Sequence, residues 1–243
     1  MRRFFVGSIA LAALCSGPAL AAELPLKAAP LLFDWTGWYL GGNGGYSEGR
    51  SHGDNHAIAT AGTTNTFSTR YRGWFGSVEG GYNLQTSDGK VYGLEFRTDF
   101  GRECGRTTND LPDTTDIVYR RSCFDPFLFG PHIGVLTDAN HMLWYLTGGL
   151  AVGEVQASAT ASPIAASASA NKWDAGWFIG VGIERMIDSH WSWKVEYDYV
   201  RLAGGKTGAF SPALVGGTAG IGIGGQSNDN VITVGINYHF TTH

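Results

Sequence analysis

The chain has 243 residues, of which 13% are aromatic and only 16% charged, against about 25% charged in ordinary globular chains. Glycine fills 36 positions, roughly twice its usual ~7% share. Many aromatics with little charge exclude a disordered chain. Five lysines and a formal net charge of −4 exclude the basic face that a nucleic-acid binder needs. There is no apolar run of the ~18 residues that a membrane-spanning helix requires. A membrane-spanning strand needs only about 9–11 residues, so the membrane itself is not excluded.

At the start of the chain, Arg2 and Arg3 precede the apolar run Phe4–Leu14 and the small-residue motif Ala19-Leu20-Ala21. This is the plan of a secretory signal peptide over residues 1–21. Leu14 stands directly before Cys15, where a lipoprotein would carry a small residue. Loss of Arg2 and Arg3 takes the formal net charge from −4 to −6, and Cys104 and Cys123 remain as the cysteines. Two cysteines in an exported chain suggest one disulfide. Closing a loop of that size would constrain the unfolded chain by about 3 kcal/mol. The alternatives are two free thiols or a metal site, and a metal site lacks further ligands at short spacing.

Residues 22–34, with Pro25 and Pro30, read as an extended periplasmic lead-in. From there the apolar pattern has period two. Thr36–Tyr46 sets Trp38, Leu40 and Tyr46 against Tyr39, Gly41, Asn43 and Gly45. Arg72–Asn83 sets Trp74, Val78 and Tyr82 against Phe75, Ser77 and Glu79, and Val91–Phe100 sets Tyr92, Leu94, Phe96 and Phe100 against Glu95, Arg97 and Asp99. Phe127–Leu136 sets Phe127, Phe129, Ile133 and Val135 against Gly130, His132 and Gly134. Met142–Gly153 sets Trp144, Leu146, Leu150 and Val152 against Tyr145 and Thr147. Ala175–Ile187 sets Trp177, Ile179, Val181 and Ile183 against Gly180, Gly182 and Glu184. Trp191–Leu202 sets Trp191, Trp193, Val195, Tyr197 and Tyr199 against Ser192, Lys194, Glu196 and Asp198. Val231–Phe240 sets Ile232, Val234, Ile236, Tyr238 and Phe240 against Thr233, Gly235, Asn237 and His239.

The connections alternate between long (47–71, 101–126, 154–174, 203–230) and short (84–90, 137–141, 188–190). An even strand number with long loops at one end and tight turns at the other predicts an all-β fold. The expected architecture is an eight-stranded antiparallel up-and-down transmembrane β-barrel over residues 35–240, with a tail at 241–243. Both termini then lie on the periplasmic side.

A soluble lipocalin-type barrel alternates too, with its apolar face inside. Three features favour the inverted arrangement. Aromatics cluster at the strand ends of the apolar face. The opposite face mixes glycine with charge, as a narrow interior demands. Charge on the apolar face is confined to strand ends, at Arg185 and Arg201, where long side chains snorkel. The polar face then holds a lumen ion network of Glu79, Glu95, Arg97, Asp99, Glu184, Lys194, Glu196 and Asp198, with Glu184 facing Lys194 across a turn. Acids outnumber bases in it, and isolated buried charges are too costly to persist unpaired. Pro131 has no N–H to give a ladder, so a bulge or local break is expected there.

Asp34-Trp35-Thr36-Gly37-Trp38-Tyr39-Leu40-Gly41-Gly42-Asn43 resembles the first strand of the small outer-membrane β-barrel proteins of alphaproteobacteria. These carry the labels outer membrane immunogenic protein and "porin family", and are similar to the transmembrane domain of OmpA. Leu146–Ala151 resembles their fifth strand, Gly180–Glu184 and Trp191–Tyr197 their sixth and seventh, and Val234–Phe240 their closing strand. The resemblance implies an eight-stranded barrel without catalysis. It also implies that Val234, Ile236, Tyr238 and Phe240 form the signal read by the outer-membrane insertion machinery. In the family that signal usually ends the chain; here Thr241-Thr242-His243 follow. No periplasmic wall-binding domain is expected after it.

The function expected is structural: a barrel of the Gram-negative outer membrane that packs with its lipids and lipopolysaccharide and displays surface loops to a host or surface ligand. Neither a cofactor nor a metal is expected. Eight strands leave an interior filled by side chains, so Tyr39, Phe75, Tyr145 and Phe178 should plug it. A narrow porin for small solutes is the alternative. A lipid A-modifying enzyme on the same scaffold would need a nucleophile and base at the rim. His132 and His239 face the lumen, and His52, Asp54 and His56 read as polar loop residues sooner than as metal ligands. The Ala/Ser-rich Gln156–Ala170 and Gly-rich Gly204–Gly225 read as solvated loops or as strands extended past the membrane.

Overall fold

The computed structural model describes residues 33–57, 64–101, 104–110, 116–122, 126–162, 166–203, 207–210 and 221–241. The expected signal peptide and most of the lead-in lie outside these residues. Eleven strand segments make eight staves. They are β1 (Gly37–Ala57), β2 (Thr64–Gln85), β3 (Lys90–Gly101) continued by β4 (Cys104–Asp110), and β5 (Asp116–Ser122) continued by β6 (Pro126–Thr137). β7 (Met142–Ser162), β8 (Ala166–Met186), β9 (Trp191–Leu202) continued by β10 (Thr207–Phe210), and β11 (Ile221–Thr241) complete them.

Every stave pairs antiparallel with its neighbours in the chain, and β1 closes the ring by pairing with both β2 and β11. Trp38, for example, stands opposite Tyr82 on one side and Phe240 on the other. The fold is therefore a closed eight-stranded antiparallel barrel. Closure leaves no strand edge with open N–H and C=O groups, the condition for strands to cross lipid.

The wall faces outward with its apolar side. Thirty large hydrophobic side chains are exposed among the described residues, Trp74 at 79% and Leu150 at 63%. A soluble monomer rarely exposes apolar patches beyond a few hundred Å². The carrier-type arrangement, apolar side inward, is thereby overturned. Aromatic contacts mark both rims. Trp38 on Tyr82 (5.2 Å), Trp191 on Tyr238 (5.0 Å) and Tyr238 on Phe240 (5.0 Å) lie at the short-turn end. Tyr46 on Trp74 (5.1 Å) and Trp177 on Tyr199 (5.8 Å) lie at the other. Leu40, Val78, Leu146, Ile179, Val181 and Val234 lie between.

The segments expected as long loops are largely strand. β1 runs on to Ala57, β2 begins at Thr64, β7 continues to Ser162 and β8 begins at Ala166. β4, β5 and the start of β11 occupy much of 101–126 and 203–230. Their Ser, Thr, Ala, Gly and Asn residues carry no apolar alternation. Backbone pairing builds the ladder whatever the side chains are, so it forms without the pattern that reveals it. Pro131 produces no register shift: β6 is continuous, and Leu94 pairs with Pro131 on the β3 side. On the β7 side the ladder skips from Phe129–Leu150 to His132–Thr147 in unchanged register. There a Cβ on Gly130 would lie 2.1 Å from the Gly148 carbonyl oxygen, so only glycine allows the two backbones this approach.

The short turns are set by side-chain caps and left-handed residues. Asp138, Ala139 and Asn140 all have positive φ (53°, 51° and 67°). In the 188–190 turn, Asp188 Oδ1 accepts the backbone N–H groups of His190 (2.8 Å) and Trp191 (2.9 Å). These two bonds hold its carboxyl below the usual carboxylate range. A depressed carboxyl stabilises the fold above its unfolded pKa of about 3.9, and that contribution fades as pH falls through the native value. Asp188→Ala should thus lower the urea midpoint of the detergent-folded barrel at neutral pH, with the gap to wild type closing as pH drops below that range.

Candidate functional site

The lumen is where the chain concentrates its polar chemistry, and the period-two backbone places it there. Alternate residues of each stave point inward, and burial follows the pattern without interruption along β9, where Ser192, Lys194, Glu196 and Asp198 are all buried. Three layers fill the interior.

The layer at the short-turn end is apolar. Trp35, Val91, Leu143, Tyr145 and Met186 form one buried cluster, with Phe33 and Leu136 packed against it. Trp35 is 1% exposed. Its backbone N–H donates to Gln85 Oε1 (2.9 Å), its indole N–H donates to the Asn140 carbonyl (2.8 Å), and its ring meets His239 edge-on at 5.4 Å. The segment just before β1 therefore folds under the short-turn end of the barrel. Trp35 and Phe33 were legible only as aromatics near the barrel start, because no periodicity covers the residues that precede a strand.

The middle layer is ionic. Arg97 Nη1 meets Glu196 (2.5 Å), Nη2 meets Asp198 (2.7 Å) and Nε approaches Asp99 (3.2 Å). Lys194 Nζ contacts Glu79 (2.5 Å), Glu196 (3.3 Å) and Glu95 (3.5 Å). Tyr39 donates to Glu95 (2.8 Å), Tyr145 to Glu196 (2.5 Å) and Asn43 to Glu79 (2.8 Å). Seven of the eight residues singled out as a lumen network thus meet around two cations. Glu184 does not join them. It is the register partner of Lys194, yet the expected Glu184–Lys194 pair does not form, because the ammonium turns to Glu196 on its own strand and reaches across the lumen to Glu79 and Glu95.

Glu184 accepts instead from Asn237 Nδ2 (2.9 Å) and from Ser192 Oγ, and lies 3.0 Å from His239 Nε2. Ser192 Oγ also lies 3.0 Å from the same Nε2. Serine, histidine and carboxylate are the residue types of a nucleophilic triad. A triad needs the acid and the serine on opposite ring nitrogens, whereas here both share one, and Ser192 is wholly buried. This constellation is a buried packing cluster. His132 is likewise buried, its Nε2 2.8 Å from Asn83 Oδ1.

The third layer, toward the long-strand end, is apolar again: Phe75, Leu128, Ala151, Phe178, Val200, Leu202 and Val231. With Tyr39 and Tyr145 below, the four bulky residues expected in the lumen all lie inside it. Val234, Ile236 and Phe240 face outward on β11, with Tyr238 half-buried beside them. Cys104 opens β4, and Cys123 lies outside the described residues. His52, Asp54 and His56 fall on β1, outside the residues whose side chains are described.

Removing one partner of a buried ion cluster strands the rest, at a cost of about 3–5 kcal/mol. Lys194→Met should lower barrel stability by about that much in urea titration, and adding Glu79→Gln should return part of the loss. Trp35→Ala empties the lower layer and should cost about 3–5 kcal/mol by the same measurement.

The family model described as "Outer membrane protein beta-barrel domain" matches residues 7–240. The 31 kDa outer-membrane immunogenic protein of Brucella melitensis is 29% identical over 211 residues, covering 79% of this chain and 84% of that one. The 22 kDa outer membrane protein of Rhizobium leguminosarum is 29% identical over 179 residues, covering 74% and 68%. Among solved structures, the outer membrane protein OprG of Pseudomonas aeruginosa is similar with a TM-score of 0.53 at 14% identity, covering 87% of this chain and 99% of that one. At that identity the likeness is one of fold. Closed wall, outward apolar band, polar lumen and matched family model agree: the chain belongs to the outer membrane protein β-barrel domain family.

Proposed function

We propose that the protein is a closed, non-conducting structural barrel of the outer membrane, without catalytic activity. It is exported by the signal peptide at 1–21 and inserted with its long strands outward. The outward face of β11, with Val234, Ile236, Tyr238 and Phe240, is the surface offered to the insertion machinery. The extended hairpins β1–β2, β4–β5 and β7–β8 form the surface display, and lipopolysaccharide is the surrounding lipid. A Cys104–Cys123 disulfide closes the base of the β4–β5 hairpin. The support for it is register: Gly105, next to Cys104, pairs with Arg121, two residues before Cys123.

The sealed lumen carries this reading. An ionic layer lies between two apolar ones, and an eight-stranded interior is just wide enough to be filled by side chains. Ions would have to strip Arg97 and Lys194 of partners they hold at hydrogen-bond distance. Purified, refolded protein in planar lipid bilayers should give no discrete current steps, while unboiled protein from the outer-membrane fraction should migrate differently on SDS gels from boiled protein. Regular single-channel openings would overturn the closed reading in favour of a narrow channel.

A further inference from the structure

Backbone register lines up an arginine row on the outer wall. Arg50 stands opposite Arg70 on β1–β2 and opposite Asn228 on β1–β11, and Asn228 stands opposite Arg201 on β11–β9. One pleat nearer the membrane, Arg72 stands opposite Glu48. Arg50, Arg70 and Arg72 are exposed and Arg201 half-buried, its Nη2 donating to Gln226 Oε1 (2.9 Å). By backbone position the row continues into the β4–β5 hairpin, where Arg106 pairs with Arg120.

This row conflicts with ordinary strand pairing. Like charges directly opposite each other, with Cβ atoms about 5 Å apart, destabilise a ladder. Among the described residues, Arg50, Arg70 and Arg72 have no carboxylate at ion-pair distance, Glu48 included. The exposed cations at the short-turn end are different: Lys90 pairs with Asp88 (2.5 Å) and Arg185 with Asp138 (3.2 Å). Cations there bring their own acids; Arg50, Arg70 and Arg72 have none among the described residues.

Height indicates the source. The aromatic rim at this end is Tyr46 on Trp74. Arg72 lies two residues from Trp74, and Arg50 four residues from Tyr46. At ~3.3 Å per residue and ~40° tilt this puts the row about 5–10 Å beyond the rim, at the depth of lipid headgroups. Guanidinium forks bind phosphate oxygens in pairs, and a bridging phosphate removes the Arg50–Arg70 repulsion.

We infer that Arg50, Arg70 and Arg72, flanked by Arg201, form a clamp for the phosphate groups of a phosphorylated glycolipid in the outer leaflet. This rests on the proposed orientation, long strands outward, and deepens it by assigning the lipid contact to named residues.

The test uses the full-length folded barrel in detergent micelles, titrated with bis-phosphorylated lipid A and with the same lipid dephosphorylated. Wild type should bind the phosphorylated form about tenfold or more tightly, with the advantage shrinking as salt rises. The Arg50→Gln/Arg70→Gln variant should bind the two lipids alike, while its heat-dependent gel shift stays that of wild type. Equal binding of both lipids by wild type, or undiminished preference in the variant, would overturn the clamp. Displacement of the lipid by equimolar inorganic phosphate would overturn the lipid assignment in favour of free phosphate. An acidic protein bound in place of the lipid, without any lipid preference, would overturn it too. Channel currents would refute the closed reading and leave this lipid preference intact. Silent bilayers with no lipid preference would refute the clamp alone.

Discussion

A strand crossing lipid has no water to satisfy its N–H and C=O groups, so every one must find a partner on a neighbouring strand. Here β1 meets that demand at the seam by pairing with β2 along one edge and β11 along the other. Much of the remaining structure follows from closure. Once the ring is shut at eight staves, its interior is just wide enough for side chains to fill. The alternation inverts, with aliphatic side chains turned outward and charge turned in.

The lumen resolves the resulting electrostatic problem by geometry. Among the described residues eight buried carboxylates, Glu79, Glu95, Asp99, Asp174, Glu184, Glu196, Asp198 and Asp229, share the interior with Arg97 and Lys194. Burying ionised groups is costly unless they are paired and hydrogen-bonded. Each cation serves three carboxylates, and Tyr39, Tyr145 and Asn43 donate further bonds to Glu95, Glu196 and Glu79, which the cations already hold. Glu184 is set apart with His239, Asn237 and Ser192. Apolar layers on both sides exclude water and so strengthen these contacts.

The two ends of the wall are built differently. The short-turn end is compact: Asp188 caps one turn, three left-handed residues form another, and Trp35 seals the mouth. The long-strand end carries hairpins that extend past the apolar band, where Ser, Thr, Ala and Gly keep the ladder but lose the alternation. Among the described residues, Arg50, Arg70 and Arg72 at that end have no carboxylate at ion-pair distance. That asymmetry is what a membrane with different leaflets would require of a wall crossing it.

The period-two pattern by itself determined the number of staves and the outward face of the apolar band. It could do so because lipid on one side and a packed lumen on the other impose opposite chemistry on successive residues. The extended strands were legible only as one of two alternatives over Gln156–Ala170 and Gly204–Gly225, since their Ser, Ala and Gly residues carry no apolar alternation. Nor was the partner of Lys194: register names the residue beside it, Glu184, but the long ammonium stem crosses the lumen to Glu79 and Glu95. The Trp35 seal and the alignment of Arg50 with Arg70 also required the fold. Both depend on which residues closure brings together across many intervening positions, and a one-dimensional pattern carries no record of that distance.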